Sequence, residues 1–414
     1  MSLHKFPKIA IITTGYKPVP DISGGAVEHL ITQIILENER NPQFYFELYT
    51  IPHEQLNLYN FNYTHINLVK NWRKNFFKRS ISFVLNHLSA KLHSNWRMNF
   101  MANEIYKRLP TDISAILMEN DMDILRAFKR HEKSFPIIYH MHNDFDTFNE
   151  KQKTTVAMKW TVKNVSEIWA VSNYVKNHIL SNFPNANVQV LKNCIDRKRF
   201  SGFAISDKEK HNFRNRYGIS NNDFVILYSG RIIKQKGVLE IIHATSLLPN
   251  DIPYKLLIAG DLKSASKSYV HKLKNFAQAL GKKVIFAGYI SQYEIQTAYS
   301  IANLVAIPSQ CNEAFCLSAL EAITNGKVCI ASSAGGLPEV LDSTCAKMIP
   351  LGNDYAQSFC NAIIELYENY SLRKKMEENA KLKSETFYDS KQYFEQFSNL
   401  ANVFLDSQKQ CNGD

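Results

Sequence analysis

FVILYSGRIIKQKG, residues 224–237, decides the fold. Five apolar residues in succession run into Ser-Gly, and a short loop carrying Arg231 and Lys236 then leads into a helical pattern. A continuous apolar run has both faces buried, as a central strand of a parallel sheet does, and the helix that follows covers one of those faces. The same alternation continues downstream through YKLLIAG, KVIFAG, LVAIP, KVCIAS and the run at 346–349. Upstream, residues 9–13, 44–50, 113–118, 137–140, 168–171 and 188–191 read as strands of an earlier series. There a helix opens near Gly25 or Ala26, because Val27, Leu30, Ile31, Ile34 and Ile35 recur at its period.

A polar, Lys/Arg-rich stretch at 196–222 separates the two series. The expectation is α/β with two Rossmann-like, doubly wound parallel-sheet domains. The first spans residues 1–195 and the second 196–385. Residues 386–414 form a C-terminal helix that crosses back to the first. A chain of 414 residues exceeds one ordinary core, which agrees with two domains.

Seven cysteines, an odd number without a CxxC pair, argue against structural zinc and against a disulfide framework. No apolar stretch approaches eighteen residues and no cleavage site follows the start, so a cytoplasmic protein with reduced thiols is expected. The net charge of +11 asks for an anionic partner. Much of it lies at 69–110, where Lys70, Arg73, Lys74, Lys78, Arg79, Lys91, Arg97, Lys107 and Arg108 face the single acid Glu104. Trp72, Phe76, Phe77, Leu85, Leu88, Trp96 and Phe100 are interleaved with them. Such a mixture suits an interfacial helix on an anionic membrane, peripheral on the cytoplasmic face. A core helix with a solvated basic side shows the same pattern. Nucleic acid ranks below both, since no helix-turn-helix, RNP or KH signature accompanies the charge.

Ligands of open parallel sheets bind outside the carboxyl ends of the strands, which singles out four loops. In PVPDISGGAVEHL, Gly24 and Gly25 precede a helix whose first N–H groups suit an anion; the dinucleotide fingerprint G-x-G-x-x-G is absent. In GRIIKQKG, Arg231 offers a planar fork and Lys236 a point charge to a diphosphate. In SQCNEAFCLSALEAITNG, Glu313 stands at the mouth of a helix and Glu321 about two turns further on. The backbone of Ala314, Phe315, Cys316 and Leu317 lies at that helix's positive end. In IIYHMHND, His140 and His142 fall on one side of an extended segment. Asp144 and Asp146 admit zinc there as a minor alternative to a hydrogen-bonding role.

These motifs, with AGGLPEVL at 334–341 and NCID followed by Phe200, resemble the family 4 glycosyltransferases of GT-B fold, from Lys8 to about Leu366. The resemblance implies two domains facing each other across a cleft, a retaining and metal-independent enzyme with no cofactor, and a nucleotide-sugar donor, a UDP-sugar. The acceptor it implies is a glycan or lipid-linked molecule of cell-surface polysaccharide or glycoconjugate synthesis. Carried over, Arg231 and Lys236 hold the diphosphate, Glu321 the ribose, Glu313 the transferred sugar, while His142 contacts that sugar and Gly25 lets phosphates approach the backbone. Glu313 and His142 are the catalytic candidates. Cys316 and Val328 replace a frequent glycine and proline, which bears on the donor sugar. A non-catalytic sugar-nucleotide-binding scaffold, or an epimerase of the same fold, is the alternative.

Overall fold

The computed structural model describes residues 6–70, 72, 75–91, 97–129, 131, 135–145, 151–197, 200 and 205–411. Two compact units result: Met1–Cys194 with Ser390–Asp414, and Ile195–Asp389.

The first unit holds a parallel sheet of seven strands: β1 (Lys8–Ile12), β2 (Tyr45–Thr50), β3 (Thr64–Leu68), β4 (Ala115–Glu119), β5 (Ile137–Met141), β6 (Glu167–Ala170) and β7 (Val188–Val190). Their spatial order is β3-β2-β1-β4-β5-β6-β7. The sequence reading lacked β3. THINL lies at the sheet edge with only two of its five residues buried, so the long apolar run that marks the central strands is missing. The helix Ser390–Cys411 lies in this unit, where Ser390 Oγ donates to Gln33 Oε1 of the helix Ala26–Arg40 at 2.6 Å. Its Phe397 meets Phe44, Phe46 and Trp169 edge-on. Truncating so buried a ring to alanine costs about 3–5 kcal/mol, so this C-terminal helix is part of the unit's core.

The second unit holds six parallel strands: β8 (Phe224–Ser229), β9 (Tyr254–Ala259), β10 (Val284–Gly288), β11 (Leu304–Ile307), β12 (Cys329–Ser332) and β13 (Ala346–Ile349). They run in the order β10-β9-β8-β11-β12-β13. Side chains alternate between its two faces as strand geometry requires. Val225, Leu227, Val305 and Ile307 enter one core cluster, and Phe224, Ile226, Tyr228, Leu304 and Ala306 the other. In each sheet the strand order reverses between neighbours, at β1/β4 and at β8/β11. That reversal opens a crevice beyond the carboxyl ends, where ligands of such sheets bind.

Candidate active site

In the second unit the loops after β8 and β11 are locked together at the switch point. Gly237, at φ +69°, is where they touch: a Cβ there would stand 1.7 Å from the Pro308 carbonyl oxygen. Gln310 N–H donates to the Gln235 carbonyl at 2.7 Å. This close approach carries Lys236 across to Glu313, and its Nζ donates to Oε1 at 2.6 Å and Oε2 at 2.7 Å. The buried Ser309 hydroxyl also donates to Oε1 of Glu313. Burial disfavours the Lys236 ammonium, but its neighbour Glu313 more than offsets this and holds the lysine above its usual range.

The backbone of Glu313 is fixed from the other side by AGGLPEVL. Glu313 bridges Gly335 in parallel register, and Gly336 N–H donates to its carbonyl at 2.6 Å. A Cβ on Gly335, at φ +63°, would lie 2.4 Å from both the nitrogen and the oxygen of Glu313. Only glycine permits this approach. Arg231 is exposed beside the pair, with no ion pair among the described residues, and its carbonyl accepts from the Tyr228 hydroxyl at 2.6 Å. Glu321 lies in the helix Leu317–Thr324 and accepts from the buried Tyr299 hydroxyl at 2.9 Å. Phe200 meets that tyrosine ring edge-on. Ala314 and Cys316 are buried, and Phe315 and Leu317 half-buried, at the start of the same helix. Burial, with Glu313 adding to it, pushes the Cys316 thiol up to about 11, so it is a packing group and not a nucleophile.

The first unit gathers a second cluster at the ends of β4 and β5. His140 Nδ1 lies 3.1 Å and His142 Nε2 2.7 Å from one oxygen of Glu119, a carboxylate with no solvent exposure. Burial alone would raise Glu119; the two imidazoles reverse this and bring it to about 2. Burial, helped by His140 and opposed by Glu119, lowers His142 to about 4, so its ring is neutral near pH 7. An ionised Glu119 only accepts, so Nε2 of His142 carries the proton and Nδ1 is left as an acceptor. Asn120, at φ +46°, secures the pair of strands. Its N–H donates to the His140 carbonyl at 2.9 Å, and its Oδ1 accepts from His142 N–H at 3.1 Å.

Sequence reasoning missed Glu119 because it scored strands by apolar runs; the available signal was an acid followed by Asn at the end of AILMEN. Asp144 instead accepts from Tyr174 and His178, and Asp146 lies outside the described residues. Among the described residues Glu119, His140 and His142 are the group able to hold a metal, with donor atoms within 4.8 Å of one another.

Gly24 and Gly25 adopt φ +67° and +135° before the helix Ala26–Arg40. A Cβ on Gly25 would stand 2.2 Å from Glu28 Oε2, the carboxylate of the first turn of that helix. Burial raises Glu28 above its usual range.

Two doubly wound parallel-sheet units, with charged side chains gathered at the switch point of the second, define the class: an α/β enzyme of GT-B fold. Residues 209–383, within the second unit, match the family described as glycosyl transferases group 1, a match that supports an enzyme of the transferase class. The chain is 28% identical over 270 residues to the lipopolysaccharide 1,2-N-acetylglucosaminetransferase of Salmonella typhimurium, a match covering 63% of this chain and 66% of that protein. It is 26% identical to a putative glycosyltransferase of Bacillus subtilis, over 66% of this chain and 70% of the relative. Its fold matches the crystal structure of Anabaena HepE in complex with UDP-glucose at TM-score 0.75 and 18% identity, covering 96% of this chain and 99% of that one. No helix of the described residues is long and apolar enough to cross a membrane.

Proposed function

We propose that the chain is a retaining, metal-independent glycosyltransferase of the family 4 kind. It moves a hexose or N-acetylhexosamine from a UDP-sugar to a glycan or lipid-linked acceptor of cell-surface polysaccharide or glycoconjugate synthesis, working peripherally at the membrane. One observation carries the reading: the Lys236–Glu313 ion pair beside the exposed guanidinium of Arg231, at the switch point of a group 1 domain.

A departing nucleoside diphosphate gathers negative charge, which prepositioned cations stabilise in the transition state more than in the ground state. Arg231 supplies a fork for two phosphate oxygens and Lys236 the second charge. Glu313 is held by Lys236 and Ser309 through its side chain and by Gly336 through its backbone. It orients the sugar and stabilises positive charge developing at the anomeric carbon, and with both oxygens engaged it does not act as a covalent nucleophile. Glu321, steadied by Tyr299, takes the ribose diol. Neutral His142 offers Nδ1 to a sugar hydroxyl. The relatives' names support sugar transfer, and HepE's bound UDP-glucose supports a UDP donor.

The test is transfer and donor hydrolysis across UDP-, GDP- and ADP-sugars. Turnover of a UDP-sugar with the anomeric configuration kept is expected. Inversion overturns the retaining mechanism, and a folded protein that binds UDP without turnover favours the scaffold alternative.

A further inference from the structure

The helix Phe76–Lys91 lies inside out. At about 100° per residue, Phe77, Ile81, Val84 and Leu88 share an arc of about 60° and a stripe about 16 Å long. In an ordinary surface helix that stripe faces the core. Here Phe77 is 77%, Val84 53%, Leu88 50% and Ile81 48% exposed, with Phe76 and Phe83 exposed beside them. The polar side packs inward instead. Ser82 and Ser89 are buried; Asn86 Oδ1 accepts from Met98 N–H at 2.6 Å, and its amide donates back to the Met98 carbonyl at 3.3 Å. Arg97 donates to Ser89 Oγ, and the Lys78 ammonium sits over the Phe100 ring at 5.1 Å. These contacts fix the helix by its polar face, so the apolar face has no partner among the described residues.

Charge selects the occupant. Residues 76–91 carry Lys78, Arg79 and Lys91 and no acid, and 69–110 carries nine basic residues against Glu104. A second copy docking on this face by two-fold symmetry would set basic surface against basic surface. An anionic bilayer accepts both features: the aromatic and aliphatic side chains enter the headgroup boundary, while Arg79, one turn from the exposed Phe83, and the exposed Lys70 upstream of the helix reach for lipid phosphates. Arg73, Lys74 and Trp96, part of the basic aromatic stretch in the sequence, lie outside the described residues. We infer that the outward apolar side of this helix, running from Phe83 and Phe76 to Phe77, Ile81, Val84 and Leu88 with the exposed Arg79 at its edge beside Phe83, is the face by which this protein lies on a membrane of anionic lipid. This deepens the peripheral placement proposed above and is independent of donor and acceptor.

The experiment is flotation of the full chain with vesicles of equimolar phosphatidylglycerol and phosphatidylcholine, and with phosphatidylcholine alone. Wild type is expected to float with the anionic vesicles and not with the neutral ones. Phe77→Glu with Val84→Glu should lower partitioning at least about tenfold, while Phe77→Leu with Val84→Leu keeps it. Lys70→Glu with Arg79→Glu should lower it as well. All these positions are exposed, so circular dichroism and melting temperature should not move. Equal flotation of the glutamate variant removes this face and leaves the peripheral placement standing; wild type that stays behind removes both. A wild-type dimer that does not float and that the glutamate variant splits makes the stripe a self-association surface and overturns the inference.

Discussion

Lys236 and Glu313 should behave as one energetic unit, and a double-mutant cycle measures it. Their charges stand 2.6 Å apart, with side-chain exposures of 22% and 7%. At an effective dielectric of about 20 the gross attraction is about 6 kcal/mol, most of it offset by desolvation of two ions. Removing one partner strands the other. For Lys236→Met or Glu313→Gln the expected loss is about 2 kcal/mol each, below the range for fully buried pairs because Lys236 retains some solvent. Replacing both removes the stranded charge, so the double variant should lose only about 1 kcal/mol, a coupling of about 3 kcal/mol. Denaturant unfolding of the four proteins reads these values. Transfer activity should be lost in all three variants, since the double variant restores stability without restoring a cation. Additive losses, with the double variant equal to the sum of the singles, would refute the coupling on which the site is built.

Gly335→Ala should cost about 2–3 kcal/mol and most of the activity, because the new methyl displaces the backbone of Glu313; thermal melting and a transfer assay check both. Arg231→Lys should leave the melting temperature unchanged, as the residue is exposed, and weaken UDP binding about tenfold through loss of the bidentate fork, as read by calorimetry. His142, held down at about 4 in the fold, binds fewer protons there than when unfolded. Its contribution to stability is therefore present above about pH 6.5 and lost as pH falls toward 4. His142→Asn should flatten the melting temperature across that window. Glu119→Gln, which removes the acceptor that fixes the His142 tautomer, should lower kcat with the melting temperature measured in parallel to separate it from unfolding.

Long-range placement separates what the sequence disclosed from what it concealed. All six strands of the second unit were legible: β8, β9, β11 and β12 are buried on both faces and so nearly apolar throughout, and the edge strands β10 and β13 still carry mostly apolar residues, whereas β3, also at an edge, does not. The loops at the switch points were legible too, since Gly, Arg, Lys and Glu interrupt apolar runs there. Their partners were not. Lys236 and Glu313 are 77 positions apart and read as servants of different parts of a substrate, whereas the structure joins them. Glu119 was hidden in the last position of a strand, and its pairing with two histidines depends on β4 lying beside β5. The helix Phe76–Lys91 shows the same limit. Periodicity identifies its apolar stripe, but only the packing of Ser82, Asn86 and Ser89 shows which way the stripe faces.

UDP binding by calorimetry, with EDTA and then with added manganese, tests most directly whether side-chain cations rather than a metal ion hold the pyrophosphate. The account predicts the same affinity in both conditions and a loss of about tenfold or more in Arg231→Gln with EDTA present. Binding that disappears with EDTA, returns with manganese and is indifferent to Arg231 would contradict it, and would turn attention to Glu119, His140 and His142 as ligands.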